Sequence, residues 1–401
     1  MLLSPVDDGS SLPARPGPDT LARTVDSAQA TRPAIAEVDL GAVASNYRAL
    51  AARLPPGVQV LASIKANAYG HGAVEVARTL AAEGAAWLAT GTFAEALAVR
   101  EAGIETPILL FAGPLPEAVP KVLRHGFALT VHNAEIARAV AAAAMPATVF
   151  VKADAGLGRL GVPLEQAEAL IRELDGLPHV HVRGLYTHLP FVDAEGRDWA
   201  AARLPAFREL RARLEAAGLA PEVTQALSSA GVLAGLPDNS SAICPGHALY
   251  GIPPASGEVA GLAGLRPALR AVTTRLVQVT DHPSERRVGT GGKIALGAGA
   301  RTGIVPFGRT DGYRGPREGT RAFMLAGGHR VPVRGVSLEH TTLDLTGVAA
   351  RVGDQVTVLG RQGAASVSAV EIAEWQGATV DDVVLSFDRK VPRRYLPAAP
   401  P

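Results

Sequence analysis

The stretch Val58-Gln-Val-Leu-Ala-Ser-Ile-Lys65-Ala-Asn-Ala-Tyr69-Gly-His71-Gly72 decides how the rest of the chain is read. Its opening residues are mostly apolar or small, with β-branched members, and predict a buried strand. Lys65 stands at the carboxyl end of that strand, and a glycine-rich turn leads into the helical spacing of Ala73–Ala82. Burial lowers the pKa of such an amine, making it a better nucleophile and base, able to form a Schiff base with an aldehyde. A lone lysine at a strand end more often snorkels to solvent, so the reading turns on its surroundings.

Outward from this strand, short apolar runs alternate with Ala- and Leu-rich helical stretches, the pattern of βα units around a parallel sheet. The strand candidates are Val58–Lys65, Ala86–Thr90, Pro107–Phe111, Ala128–Val131, Thr148–Ala153, Val182–His188, Val223–Leu227 and a last one near Ala242–Ile252. Eight strands predict an α/β protein with a (β/α)8 TIM-like barrel; an open doubly wound sheet is the rival that periodicity alone leaves standing. Polar residues gather where the strands end, at Lys65, Thr92, His132, Lys152, Asp154, His188, Ser228 and Ser229, and a barrel would converge these on one mouth. Ahead of the barrel strands, Ala34–Leu40 alternates like a strand and Leu40–Ala52 has helical spacing.

Near Leu265 the texture changes to β-rich segments punctuated by Gly and Pro: Arg270–Thr280, Ala300–Phe307, Arg321–Leu325, His329–Leu338, Thr341–Leu345 and Gln355–Leu359. The predicted organisation is a disordered tail over 1–32, a barrel over 33–265, a mostly β domain over 266–395 and a short tail over 396–401. The 401 residues, 47% of them hydrophobic, suffice for two globular domains. A net charge of +1 without a long basic block argues against nucleic acid and membrane surfaces as partners, and no apolar run long enough to span a bilayer occurs. The sole cysteine, Cys244, excludes an internal disulfide and a cysteine-cluster metal site; no metal is expected and the cytoplasm is the expected compartment. The first 32 residues lack the charged start and apolar stretch of a signal peptide.

The segment Lys65-Ala-Asn-Ala-Tyr69-Gly-His71-Gly72 resembles the pyridoxal-phosphate attachment segment of the alanine racemase family, in which Asp usually stands where this chain has Asn67. The resemblance implies pyridoxal 5'-phosphate as cofactor, Lys65 as its Schiff-base lysine and Tyr69 packed beside it. It extends to Val151-Lys152-Ala-Asp154-Ala-Gly156-Leu-Gly158-Arg159, where Arg159 would reach the cofactor's phenolic oxygen and Lys152 matches a lysine carbamylated in some members. Thr187-His188 looks like the family's Thr-His pair, and Ser229 matches the serine that binds the phosphate. In the run Cys244-Pro245-Gly246-His247, Gly246 and His247 fall on the cofactor side. Taken without the resemblance, Ser228 and Ser229 read as a helix N-cap, and His188 reads equally as a core histidine or, because histidine titrates near neutrality, as a catalytic candidate.

Two positions depart from the family pattern. Cys244 stands where an arginine donates to the pyridine nitrogen, and a thiol is a weaker, neutral donor. Arg309, within Ile304-Val-Pro306-Phe-Gly308-Arg309-Thr-Asp311, stands where the second domain delivers the catalytic tyrosine of the opposite face; a guanidinium stays charged and is no ordinary base. Leu338-Glu339 replaces a Met-Asp pair in a loop that lines the partner subunit's substrate pocket, and Asp382 falls near the position of a phosphate-anchoring tyrosine. The implied assembly is a head-to-tail homodimer with shared sites. Lys65, His188 and Arg309 are the catalytic candidates; Arg159, Arg309, Leu338 and Glu339 are those for binding an amino-acid substrate. The expected chemistry is racemisation or epimerisation at Cα of an amino acid other than plain alanine. One-face chemistry of aldolase or hydroxymethyl-transfer type and a non-catalytic cofactor-binding protein are the alternatives.

Overall fold

The structure, a computed structural model, describes residues 32–254, 264–388 and 390–397. Its first ten strands are β1 (Ile35–Asp39), β2 (Gln59–Ser63), β3 (Trp87–Thr90), β4 (Ile108–Leu110), β5 (Ala128–Val131), β6 (Ala147–Asp154), β7 (Val162–Pro163), β8 (Val180–Tyr186), β9 (Val223–Ser228) and β10 (Ala242–Cys244). Parallel pairing runs β5-β4-β3-β2-β10-β9-β8-β6, and β6 pairs back to β5, which closes an eight-stranded barrel; β7 only extends β6. That closing pair excludes the open doubly wound sheet. All eight strands predicted from the sequence are present, within a few residues at most ends; the last, expected near Ala242–Ile252, is confined to Ala242–Cys244.

Strands such as β3 and β4 read as apolar runs because both faces are covered, by helices outside and by side chains within. Leu61, Trp87, Leu109, Phe150, Tyr186 and Val223 fill the interior from six strands. Gly184 on β8 makes room for the ring of Phe150, since a Cβ there would lie 2.2 Å from it. Helices follow the strands, several with side-chain caps on their first turns, such as Thr92 before Phe93–Glu101 and Asn133 before Ala134–Ala143.

The second domain contains β11 (Leu269–Arg275), β12 (Gln278–His282), β13 (Arg286–Val288), β14 (Ile294–Leu296), β15 (Ala300–Val305), β16 (Phe323–Ala326), β17 (His329–Val336), β18 (Thr341–Asp344), β19 (Gln355–Gln362), β20 (Ala365–Val367) and β21 (Arg393–Leu396). The order of its main sheet is β12-β15-β18-β17-β16-β19-β11-β1-β21. The β-rich segment Arg270–Thr280 comprises two strands, β11 and β12. Two helices, Ala369–Gln376 and Val380–Ser386, were not expected in this domain.

The expected barrel boundary of 33–265 needs correction. Strand β1 lies in the second domain's sheet, antiparallel to β11 and parallel to β21. Its alternating burial, with Ala36 and Val38 inward, suits a sheet with one covered face and not a barrel strand covered on both. The predicted tail over 1–32 lies outside the described residues except for Arg32, which is ion-paired to Asp311 and Glu339. Of the predicted tail over 396–401, Leu396 completes β21 and 398–401 lie outside the described residues. Among the described residues no helix is long and apolar enough to cross a membrane.

Candidate active site

Strand β2 delivers Lys65 to the carboxyl end of the barrel, the end at which this architecture carries its sites. The turn after Lys65 is left-handed: Ala66, Asn67, Ala68 and Tyr69 have φ of 54°, 53°, 55° and 53°. Each such non-glycine residue costs about 1–2 kcal/mol, so the turn must be held from outside. Asn67 holds it with both ends of its amide, donating to Asp388 Oδ1 at 2.8 Å and accepting from Ala73 N at 2.8 Å. The Asn67 backbone N–H donates to Glu95 at 2.7 Å, and Arg393 donates to Gly70 O at 2.7 Å while pairing with Asp388 at 2.6 Å. Gly72, at φ +98°, is required where Tyr395 crosses: a Cβ would stand 1.9 Å from its hydroxyl oxygen. The lysine motif and the closing segment near residue 395 are thus two sides of one contact.

His71 is structural. It is buried, stacked on Tyr250 at 4.7 Å between centroids, and its Nδ1 lies 2.9 Å from Ala68 O. Burial pushes its pKa down to about 4, so it is neutral at pH 7.

A cavity of about 320 Å³ opens at the barrel mouth, and every cofactor-side residue expected from the sequence lines it: Lys65, Tyr69, Arg159, His188, Ser229, Cys244, Gly246 and His247. Burial lowers the Lys65 ammonium below its ordinary value and the charge of Arg159 adds to this, while Asp381 opposes it. Lys152, on the same wall, is pushed down to about 8 by burial and by Arg159. Burial drives His188 down to about 3, with Lys65, Lys152 and Arg159 pushing the same way, so its imidazole is neutral. The Cys244 thiol is pushed up to about 12 by burial and stays protonated.

The far wall presents hydrogen-bond donors to an anion. Ser229 Oγ accepts from Gly246 N at 2.9 Å and Ala248 N at 3.1 Å, so its acceptor sites are taken and its own hydrogen is free to donate. Thr187 is among the residues lining the cavity, and its buried Oγ1 has no hydrogen-bond partner. Gly246 lies against Tyr69, where a Cβ would sit 2.1 Å from the hydroxyl oxygen. A lowered amine, an unsatisfied buried hydroxyl and a serine with a free hydrogen around one cavity fit an aldehyde cofactor that carries a phosphate.

Of the four substrate-side candidates Arg159 lines this cavity, and the other three do not join it within one chain. Arg309, Leu338 and Glu339 are brought together elsewhere, on two loops of the second domain joined by Arg309 N to Ser337 O at 3.0 Å and Thr310 N to Leu338 O at 2.9 Å. All three are exposed, Leu338 by 66%. Asp382, expected near a phosphate anchor, points to solvent and caps the helix Val380–Ser386 through Thr379; the Thr-x-x-Asp spacing was the sequence signal for that. Its neighbour Asp381 instead meets His247 Nε2 at 2.7 Å, a contact that sequence reasoning missed because it joins two domains. Asp388 was missed for the same reason, and Arg32 because its partner Asp311 lies 279 positions away in the sequence.

Residues 38–254 match the family model "Alanine racemase, N-terminal domain", and residues 269–395 match "Alanine racemase, C-terminal domain". An alanine racemase of Syntrophobacter fumaroxidans is 36% identical over 361 residues, covering 88% of this chain and 95% of that protein. One from Symbiobacterium thermophilum is 35% identical over 375 residues, covering 91% of this chain and 97% of its own. The solved structure of the Clostridium difficile alanine racemase superposes with a TM-score of 0.83 at 26% identity, over 91% of this chain and 96% of that one. With two domain matches and relatives aligned nearly end to end, the chain belongs to the alanine racemase family, whose members use pyridoxal 5'-phosphate.

Proposed function

We propose that this chain is a pyridoxal-phosphate-dependent isomerase of the racemase or epimerase type, acting at Cα of an amino acid other than plain alanine, in the cytoplasm. The observation that carries the proposal is the Lys65 amine, its pKa lowered, in a cavity shared with the donors of Ser229 and Thr187. When bound, the cofactor supplies an aldehyde carbon for an amine and a ring that withdraws electron density from Cα. Lys65 would hold the aldehyde end, and its amine, whose pKa burial lowers, would take the Cα proton on its own face and return it as the ammonium. Ser229 and Thr187 would hold the phosphate, Arg159 would serve the phenolic oxygen, and Tyr69, braced by Gly246, would pack beside the cofactor. Cys244, protonated, offers the ring nitrogen only a neutral thiol and leaves it without the cationic partner usual in the family.

On the second face His188, or a water it orients, would have to exchange the proton, and its lowered pKa makes it a weak base for that step. Arg309 clamps the substrate carboxylate through its planar guanidinium, and a second carboxylate on the substrate fits the same charge. Leu338 and Glu339 border the substrate, in the cavity of a second copy. The support for a head-to-tail homodimer is that these residues are exposed and lie away from the cavity of their own chain.

The second reading is one-face chemistry, favoured by Arg309, which cannot exchange a proton. Incubation in deuterated water with a panel of amino acids separates the readings. Label in both enantiomers supports the isomerase and label in one supports the alternative; label in neither sinks both.

A further inference from the structure

Asp311 is 1% exposed in the loop between β15 and β16, and a buried carboxylate needs donors. It has four contacts of that kind: Arg32 Nη2 at 2.7 Å to each oxygen, Arg32 Nε at 3.2 Å to Oδ1, and Gly308 N at 2.9 Å to Oδ2. The same guanidinium extends Nη1 to Glu339 Oε1 at 3.3 Å, on the loop between β17 and β18. These are the two loops that carry Arg309 and Leu338, and their backbones are in contact: a Cβ on Gly308 would lie 2.6 Å from Leu338 O. Arg32 is itself anchored, because Ala34 N donates to its carbonyl at 2.8 Å as β1 begins between β11 and β21. Glu339 is thereby engaged as a clamp partner, with Lys390 4.0 Å away on its other side.

We propose that Arg32 is a positioning residue: its guanidinium fastens the Gly308–Gly312 and Ser337–His340 loops to one another and so sets where Arg309 and Leu338 are presented. The catalytic consequence rests on the shared-site reading given under the proposed function. A lysine cannot replace it, because a single ammonium is a point charge and cannot span both oxygens of Asp311 while reaching Glu339.

The test is hydrogen exchange on the full chain, comparing wild type with R32A and R32K. In R32A the peptides containing Gly308, Arg309 and Thr310 exchange about tenfold faster or more, the loss of several charge-assisted hydrogen bonds, while barrel strands are unchanged. R32K restores only part of the protection, and it carries the comparison if R32A fails to fold. Loops that exchange at the wild-type rate, or a uniform acceleration across the whole chain, overturn the inference.

Mixed subunits then test where the loops act. K65A and R32A chains combined in one dimer regain about half of wild-type turnover when a loop with intact Arg32 serves the neighbour's Lys65. Fast-exchanging loops without that regain leave the clamp standing and overturn the shared-site reading.

Discussion

Asn67→Asp introduces the residue usual in the family segment, and in this chain it should be harmful. The amide of Asn67 donates to Asp388 at 2.8 Å across the most strained turn of the barrel mouth. The substitution puts a carboxylate in place of that donor. Losing a hydrogen bond to a charged partner costs about 1.5–3 kcal/mol. Two carboxylates about 3 Å apart repel by roughly 5 kcal/mol at an effective dielectric of about 20, a repulsion reduced here because Arg393 lies 2.6 Å from Asp388. A net loss of about 3 kcal/mol at neutral pH follows.

The pH dependence gives the sign. The facing pair has its folded pKa raised above the unfolded value of about 4, so the folded state keeps a proton that the unfolded state has released. Stability of the variant relative to wild type therefore falls as pH rises through that window, is lowest near pH 7, and recovers near pH 4. Urea unfolding of wild type, N67D and N67A at both pH values reads this directly, since N67A loses the amide without adding charge and its deficit should not change with pH. If N67D unfolds at the wild-type midpoint near pH 7, or its deficit persists unchanged in acid, the account of the turn is wrong.

Gly246→Ala should push Tyr69 out of place, because the new Cβ would lie 2.1 Å from its hydroxyl oxygen; cofactor affinity read by absorbance titration should drop about tenfold or more with the far-UV spectrum intact. An unchanged affinity would show that Tyr69 is free to move. Lys152→Met removes a group whose folded pKa, about 8, lies below its ordinary 10.5, so wild type gains stability between those pH values as the folded chain releases a proton the unfolded chain retains. Thermal midpoints of the variant should lack that rise, and equal slopes would refute the burial of the charge. Arg309→Tyr restores a group able to exchange protons on the second face; appearance of alanine racemisation absent from wild type supports a different native substrate, and no change in the substrate range counts against Arg309 at the substrate.

The barrel was legible because a strand covered on both faces is written as an unbroken apolar run, as in Ile108–Leu110. The cofactor side was legible for a related reason: Lys65, Gly72, Ser229 and Gly246 must hold fixed local spacings, Gly72 because Tyr395 leaves no space for a Cβ. What escaped were contacts between segments far apart in the chain. Nothing near Ala34–Leu40 announces that it pairs with Leu269–Arg275 and not with a barrel strand, although its alternation carried the hint. Arg32 read as part of a polar tail, and its partner Asp311 lies 279 positions away. Asp381 and Asp382 are adjacent acids that the helix Val380–Ser386 turns in different directions, one to His247 and one to solvent.

Two lysines with lowered pKa, Lys65 and Lys152, share the cavity, and the account requires that only Lys65 bonds the cofactor. Borohydride reduction of the protein loaded with pyridoxal 5'-phosphate, followed by peptide mapping, decides between them. The predicted result is one pyridoxyl group on the peptide containing Lys65 and none on that containing Lys152. Label on Lys152, or no label on either, contradicts the account.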